Sequence, residues 1–261
     1  MALIRCDFFS DVLGLSTSMT VLLPQATRAQ IGMTGAAPPG PPPVLYLLHG
    51  LSDDATIWTR RTSIERYVAD LGLAVVMPQV DRSFYVDECH GNRYGTFLTE
   101  ELPEIVGHFF RVSSRREDTF VAGLSMGGYG AIRWALTRPT RFAAAASLSG
   151  VLDLAELAGD RQDALYSRVF GDRPTAGGEY DLLALLHRAG RHDVHLPDLY
   201  VSCGTDDPLF AGSERFREEA ARAGVALTYD TGPGGHDWAY WDAKIQDVLA
   251  WLPVRARDDT K

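Results

Sequence analysis

Cysteine is scarce in this 261-residue chain: Cys6, Cys89 and Cys203 are its only thiols. Three scattered cysteines cannot build the paired framework of a disulfide-stapled domain. The opening residues, Met1-Ala2-Leu3-Ile4-Arg5-Cys6-Asp7, lack the basic start, long apolar centre and small-residue cleavage site of a signal peptide. A reducing cytoplasm is therefore the expected location. Long apolar runs are also missing. Stretches such as Phe142 to Leu148 are strand-sized, well short of the ~18 residues of a membrane span. Positive charge is in deficit, with 34 Asp and Glu against 25 Lys and Arg and a net charge of −9. The basic footprint of a nucleic-acid binder is absent, and adhesion to an anionic membrane is disfavoured. Neither is expected as a partner. Walker-type phosphate loops, HExxH and CxxC pairs do not occur.

What is present is enough apolar sequence, 46% of the chain, to fill one sizeable core. Residues 3–8 and 17–24 flank turn residues and read as a strand pair. Gln25 to Pro43 is rich in Gly and Pro and reads as a long surface loop. Beyond it, strand and helix patterns alternate. The strands are placed at Val44–Leu48, Leu73–Met77, Thr119–Ala122, Ala143–Leu148, Leu199–Cys203 and Val225–Tyr229. Thr62-Ser63-Ile64-Glu65 has capping-box spacing for a helix through Leu71. Leu98, Leu102, Ile105 and Phe109 fall on one helical face. Further helices are placed at 126–137, 216–223 and 237–251. Strands separated by helices imply βαβ units and a mainly parallel sheet with helices on both faces. The stretch 151–197 breaks the rhythm, and such an insertion lies over the carboxyl ends of the strands, where ligands bind.

The strongest chemical signal is Gly123-Leu124-Ser125-Met126-Gly127, a G-x-S-x-G motif between an apolar strand and a helix-compatible segment. Flanking glycines allow the tight turn that lifts a serine hydroxyl above a sheet, and Gly128 and Gly130 allow close helix packing. Ser125 would open a helix, where free N–H groups favour developing negative charge. A serine nucleophile needs a base. His236, in the loop Thr231-Gly232-Pro233-Gly234-Gly235-His236, should fall at the same edge of the sheet and accept the Ser125 proton. Asp206 or Asp207, after the strand ending at Cys203, would orient it, which gives the chain order Ser, Asp, His. Two backbone N–H groups should form an oxyanion hole: Met126, after the nucleophile, and Leu51, where Gly50 lets the loop turn inward. His49 reads as a structural neighbour. His192 and His195, at i and i+3, lack a third ligand at a recognisable spacing and read as surface residues, so no metal is expected.

Together these motifs resemble the esterase D-like branch of the α/β hydrolases, and most closely its tributyrin esterase group, from about residue 3 to Pro253. The resemblance is carried by Leu47-Leu48-His49-Gly50-Leu51, Trp58, Arg61-Thr62 with Glu65-Arg66, Thr99 to Pro103, Gly123 to Gly130, Cys203 to Asp207, and His236-Asp237-Trp238 with Tyr240-Trp241. It implies one α/β-hydrolase domain over 1–261, with 25–43 a surface loop and 151–197 a cap-like insertion. It also implies cofactor-free hydrolysis of short-chain acyl esters through an acyl-Ser125 intermediate. The family triad maps onto Ser125, Asp207 and His236. Pro208 gives a physical reason to prefer Asp207 over Asp206, because it holds the preceding residue extended. Trp58 and Trp238 are candidate substrate contacts, and relatives often associate as homo-oligomers. S-formylglutathione hydrolases are related. They usually carry His where this chain has Tyr129, but Phe84-Tyr85-Val86-Asp87 follows their pattern, so thioester hydrolysis is an alternative. A non-catalytic hydrolase scaffold is the alternative from another class.

Overall fold

The computed structural model describes residues 1–159, 164–192 and 194–254. Eight strands form one sheet: β1 (Ala2–Ser10), β2 (Leu15–Leu23), β3 (Val44–Leu48), β4 (Ala74–Pro78), β5 (Thr119–Leu124), β6 (Ala144–Leu148), β7 (Asp198–Gly204) and β8 (Thr228–Gly232). Their order is β1-β2-β4-β3-β5-β6-β7-β8. β1 and β2 pair antiparallel, and β2 joins β4 antiparallel. The remaining neighbours are parallel.

The described helices are α1 (Ile57–Arg61), α2 (Ile64–Tyr67), α3 (Tyr94–Thr96), α4 (Leu102–Phe109), α5 (Met126–Thr137), α6 (Leu154–Gly159), α7 (Ala164–Phe170), α8 (Leu182–Arg191), α9 (Phe210–Arg222) and α10 (Trp238–Trp251). Alternation along the buried central strands builds a core on each side of the sheet. Tyr46, Leu48 and Val121 pack on one side with Ile132 and Trp134 of α5 and Phe216 of α9. Leu45, Leu47, Phe120 and Ala122 pack on the other with Trp58, Ile64 and, from α10, Ile245 and Val248.

Several local expectations change. At Thr62 the capping is partial: its hydroxyl oxygen accepts from Ile64 N–H at 3.1 Å. The Thr62 hydroxyl donates to the Trp58 carbonyl at 2.6 Å and so closes α1, and the following helix stops at Tyr67. The helix before β5 enters through a π turn, Phe97–Glu101. Of the expected inner face Leu98 and Leu102 are buried and Ile105 is partly buried against the core, while Val106 joins them and Phe109, at the helix end, is 55% exposed. The last strand begins three residues later than the sequence pattern suggests, at Thr228.

The Pro-rich loop is tied down along its length. Thr27 N–H donates to Gly35 O, Ala36 N–H to Ala69 O, and Ser113 N–H to Pro42 O. Within 151–197 the roles divide. Leu157 and Tyr166, from α6 and α7, face the site described below, whereas α8 packs with α5 and α9. Residues 160–163 and 193 of that stretch, and 255–261 at the end, lie outside the described residues. No described helix is long and apolar enough to cross a membrane.

Candidate active site

Ser125 sits between β5 and α5 with φ 52° and ψ −117°. A non-glycine residue there is held in a sparsely populated conformation that costs of order 1–3 kcal/mol and survives only where its surroundings enforce it. They do so here. Ser125 N–H donates to Leu148 O at 2.9 Å, and Ser125 O accepts from Tyr129 N–H at 3.1 Å. Gly127 is required by close approach, since a Cβ there would lie 2.5 Å from Leu48 O.

His236 comes from the loop after β8, just before Asp237, whose carboxylate caps α10 by accepting from Tyr240 N–H at 3.0 Å. The loop after β7 is stitched to this one. Thr205 N–H donates to Gly232 O and Asp206 N–H to Gly234 O, an approach that leaves no room for a Cβ at Gly204.

These elements bring three side chains into one hydrogen-bonded line. His236 Nε2 lies 3.0 Å from Ser125 Oγ. His236 Nδ1 lies 2.9 and 3.1 Å from the two oxygens of Asp207. Asp207 also accepts from Leu209 N–H at 2.8 Å. Its residue exposure is 4%, whereas Asp206 is exposed. Burial opposes the charge on Asp207, but hydrogen bonds from His236, Leu209 and Ser149 outweigh it and hold the carboxyl below its usual range.

The wall facing Ser125 that carries the expected oxyanion hole is built from β3 and its loop. His49 is buried. Its Nδ1–H donates to Gly50 O at 2.8 Å while Nε2 accepts from Val80 N–H at 3.3 Å. That pairing requires a neutral ring, and burial lowers the His49 pKa accordingly. Because the Gly50–Leu51 peptide is planar and trans, holding the Gly50 carbonyl toward His49 turns the Leu51 N–H the opposite way. Met126 is the first residue of α5, so its N–H has no partner within the helix. Leu51 and Met126 line the same cavity as Ser125 and His236.

That cavity has a volume of about 620 Å³, and its apolar walls include Leu51, Phe84, Leu157, Tyr166, Trp238 and Trp241. Trp58 does not reach it. Its indole is buried, donates to Leu48 O at 3.1 Å, and packs edge-on to Trp238 at 5.4 Å, so it supports the wall from beneath. A larger depression, about 730 Å³, lies at the amino ends of β7 and β8 and includes His195. It is at the wrong end of the strands to reach Ser125. His192 caps the end of α8. Among the described residues, no three His, Cys, Asp or Glu side chains converge as a metal site.

A family model described as "Putative esterase" matches residues 10–252. The chain belongs to that family. This esterase is 30% identical to an acetyl esterase of Caldicellulosiruptor saccharolyticus, over 97% of its own length and 98% of the relative's. It is 36% identical to the solved structure of FphF, a fluorophosphonate-binding serine hydrolase of Staphylococcus aureus, with TM-score 0.87 over 97% of this chain and 98% of that one. An S-formylglutathione hydrolase of Staphylococcus aureus is also 36% identical, with TM-score 0.85 over 97% and 99%. The esterase has the α/β-hydrolase fold and is a serine ester hydrolase.

Nothing in the sequence points to Ser149 at the esterase site, and it offers Phe84 and Tyr85 only as part of a pattern shared with S-formylglutathione hydrolases. Phe84 and Tyr85 both have positive φ, 52° and 57°, outliers for bulky side chains. Phe84 lines the cavity, and Tyr85 Oη–H donates to His49 O at 2.8 Å. Ser149, at φ 48°, is fully buried and accepts from Trp241 Nε1–H at 3.1 Å. The sequence signal for Ser149 is its position just after β6, and strand position says nothing about backbone strain.

Proposed function

We propose that the protein hydrolyses short-chain acyl esters through a covalent acyl-Ser125 intermediate. The observation that carries this reading is the line Asp207–His236–Ser125, with both hydrogen-bond steps near 3 Å, opening into an apolar cavity. Ser125 Oγ attacks the acyl carbonyl as His236 Nε2 takes its proton. Asp207 fixes the ring with Nδ1–H toward itself and stabilises the charged imidazolium. The Leu51 and Met126 N–H groups receive the negative charge that forms on the carbonyl oxygen. His236 then returns the proton to the leaving alcohol, and a water activated by the same nitrogen releases the acid. No step needs a cofactor.

The short-chain preference is supported by the modest cavity and by the acetyl esterase relative. It is tested with p-nitrophenyl esters from C2 to C12. The expected result is a burst of nitrophenol, highest kcat/KM at C2–C4, and no jump in rate on long-chain emulsions. Highest kcat/KM at C8 or longer would overturn the preference while leaving the mechanism standing. Thioester hydrolysis is the second reading, favoured by the 36% identity to an S-formylglutathione hydrolase. A kcat/KM for S-formylglutathione at least 100-fold above that for butyrate esters would select it.

A further inference from the structure

Ser149 closes β6 in the left-handed region, at φ 48°, with no solvent exposure. A buried, strained serine is a place to ask what its hydroxyl does. Its Oγ has three neighbours. Trp241 Nε1–H donates to it at 3.1 Å. The Asp207 carboxylate, which it helps to hold below its usual range, and the buried Cys203 thiol are its other side-chain partners. An indole N–H can only donate and a carboxylate can only accept, so accepting from Trp241 leaves the hydroxyl proton free for Asp207.

Trp241 in turn stands edge-to-face against His236, with ring centroids 4.9 Å apart and planes at 90°. One hydroxyl therefore touches both the carboxylate that orients the histidine and the indole that walls it. We propose that Ser149 is a positioning residue for the hydrolysis. It fixes the rotation of the Asp207 carboxylate and the edge of Trp241, so that His236 Nε2 is aimed at Ser125. The strained backbone is what places the hydroxyl there, because an extended residue leaving β6 would carry its side chain elsewhere.

This inference rests on the proposed roles of Asp207 and His236, and its test separates the two. Steady-state kinetics on p-nitrophenyl acetate are compared for Ser149→Gly, Ser149→Ala, Asp207→Asn and the double variant Ser149→Gly with Asp207→Asn, each checked by circular dichroism and melting temperature. Gly accepts the positive φ and Ala does not, so the two differ in stability while both lack the hydroxyl. The expected result is that both single variants lose about 10- to 30-fold in kcat, with KM within twofold of the parent. In the Asp207→Asn background the Ser149→Gly loss should shrink to less than threefold, because coupled residues are not additive.

Three outcomes would overturn the proposal. One is unchanged kcat in folded Ser149→Gly beside a crippled Asp207→Asn. Another is a loss that persists in full in the double variant. The third is failure of the strain-free Ser149→Gly to fold, which would make the hydroxyl a support of the fold and not of the acid. An active Asp207→Asn would instead sink the underlying assignment of the acid.

Discussion

Asp206 and Asp207 are chain neighbours, yet only Asp207 has been drawn out of water and surrounded by donors. In the sequence two things distinguished them: the family resemblance, which maps the acid onto Asp207, and Pro208, which keeps the preceding residue extended. Asp207→Asn is expected to leave the protein folded and to lower kcat by roughly 10³–10⁴, since an amide in place of the carboxylate favours the wrong imidazole tautomer. Asp206→Asn should cost less than about tenfold. Kinetics with circular dichroism on both variants checks this, and a reversal would shift the acid by one residue. The fold brings Ser125 and His236 within 3.0 Å, and that they would meet was legible from their residue types and glycine-rich surroundings. Trp58 was not, because an aromatic at a strand-to-helix junction packs equally well into a core or a cavity wall. Its direction depends on Leu48 O and Trp238, which are distant in sequence or set by the fold.

At the scale of elements, the turn from β5 into α5 shows why two glycines bracket Ser125. The helix start lies so close to the end of β3 that Gly127 has no room for a methyl group. Gly127→Ala should lose roughly 1–3 kcal/mol to overpacking, and also activity, because the strain must be relieved by moving Ser125 or the Leu48–Gly50 segment. A denaturant midpoint and kcat measured on the same preparation test this. Loss of stability with full activity would show that the oxyanion loop yields without consequence.

Elements that follow strong periodicity were legible, including β3, β5, α5 and the β1–β2 pair. The helix before β5 was harder to read because it opens on a π turn, which adds a residue to the repeat. Thr62 caps the next helix only through Ile64 N–H, while its hydroxyl proton goes to a carbonyl of the preceding helix. Both are local backbone choices that the hydrophobic and capping patterns do not encode.

For the molecule as a whole, pH acts on the fold through His49. The fold keeps this histidine neutral and lowers its pKa, whereas in the unfolded chain an imidazole titrates near ~6.5. Below that pH the unfolded state takes up a proton that the folded state refuses, so stability falls as pH drops from about 6.5 toward the lowered folded value. Asp207, held below its usual range, adds a second loss only in stronger acid, beginning below its unfolded pKa of ~3.9. Melting temperatures between pH 8 and 5 should therefore decline in mild acid. His49→Gln should start lower at pH 8 but decline less steeply. An equal slope in both proteins would remove His49 from the account.

The central claim is that Ser125 is the nucleophile and that His236 activates it. The most direct measurement is reaction with a fluorophosphonate followed by mass spectrometry of the intact and digested protein. One adduct per chain on the peptide containing Ser125 is the expected result, with no adduct in Ser125→Ala and labelling slowed by at least about 100-fold in His236→Ala. An adduct on any other residue, or rapid labelling that survives the loss of His236, would contradict it.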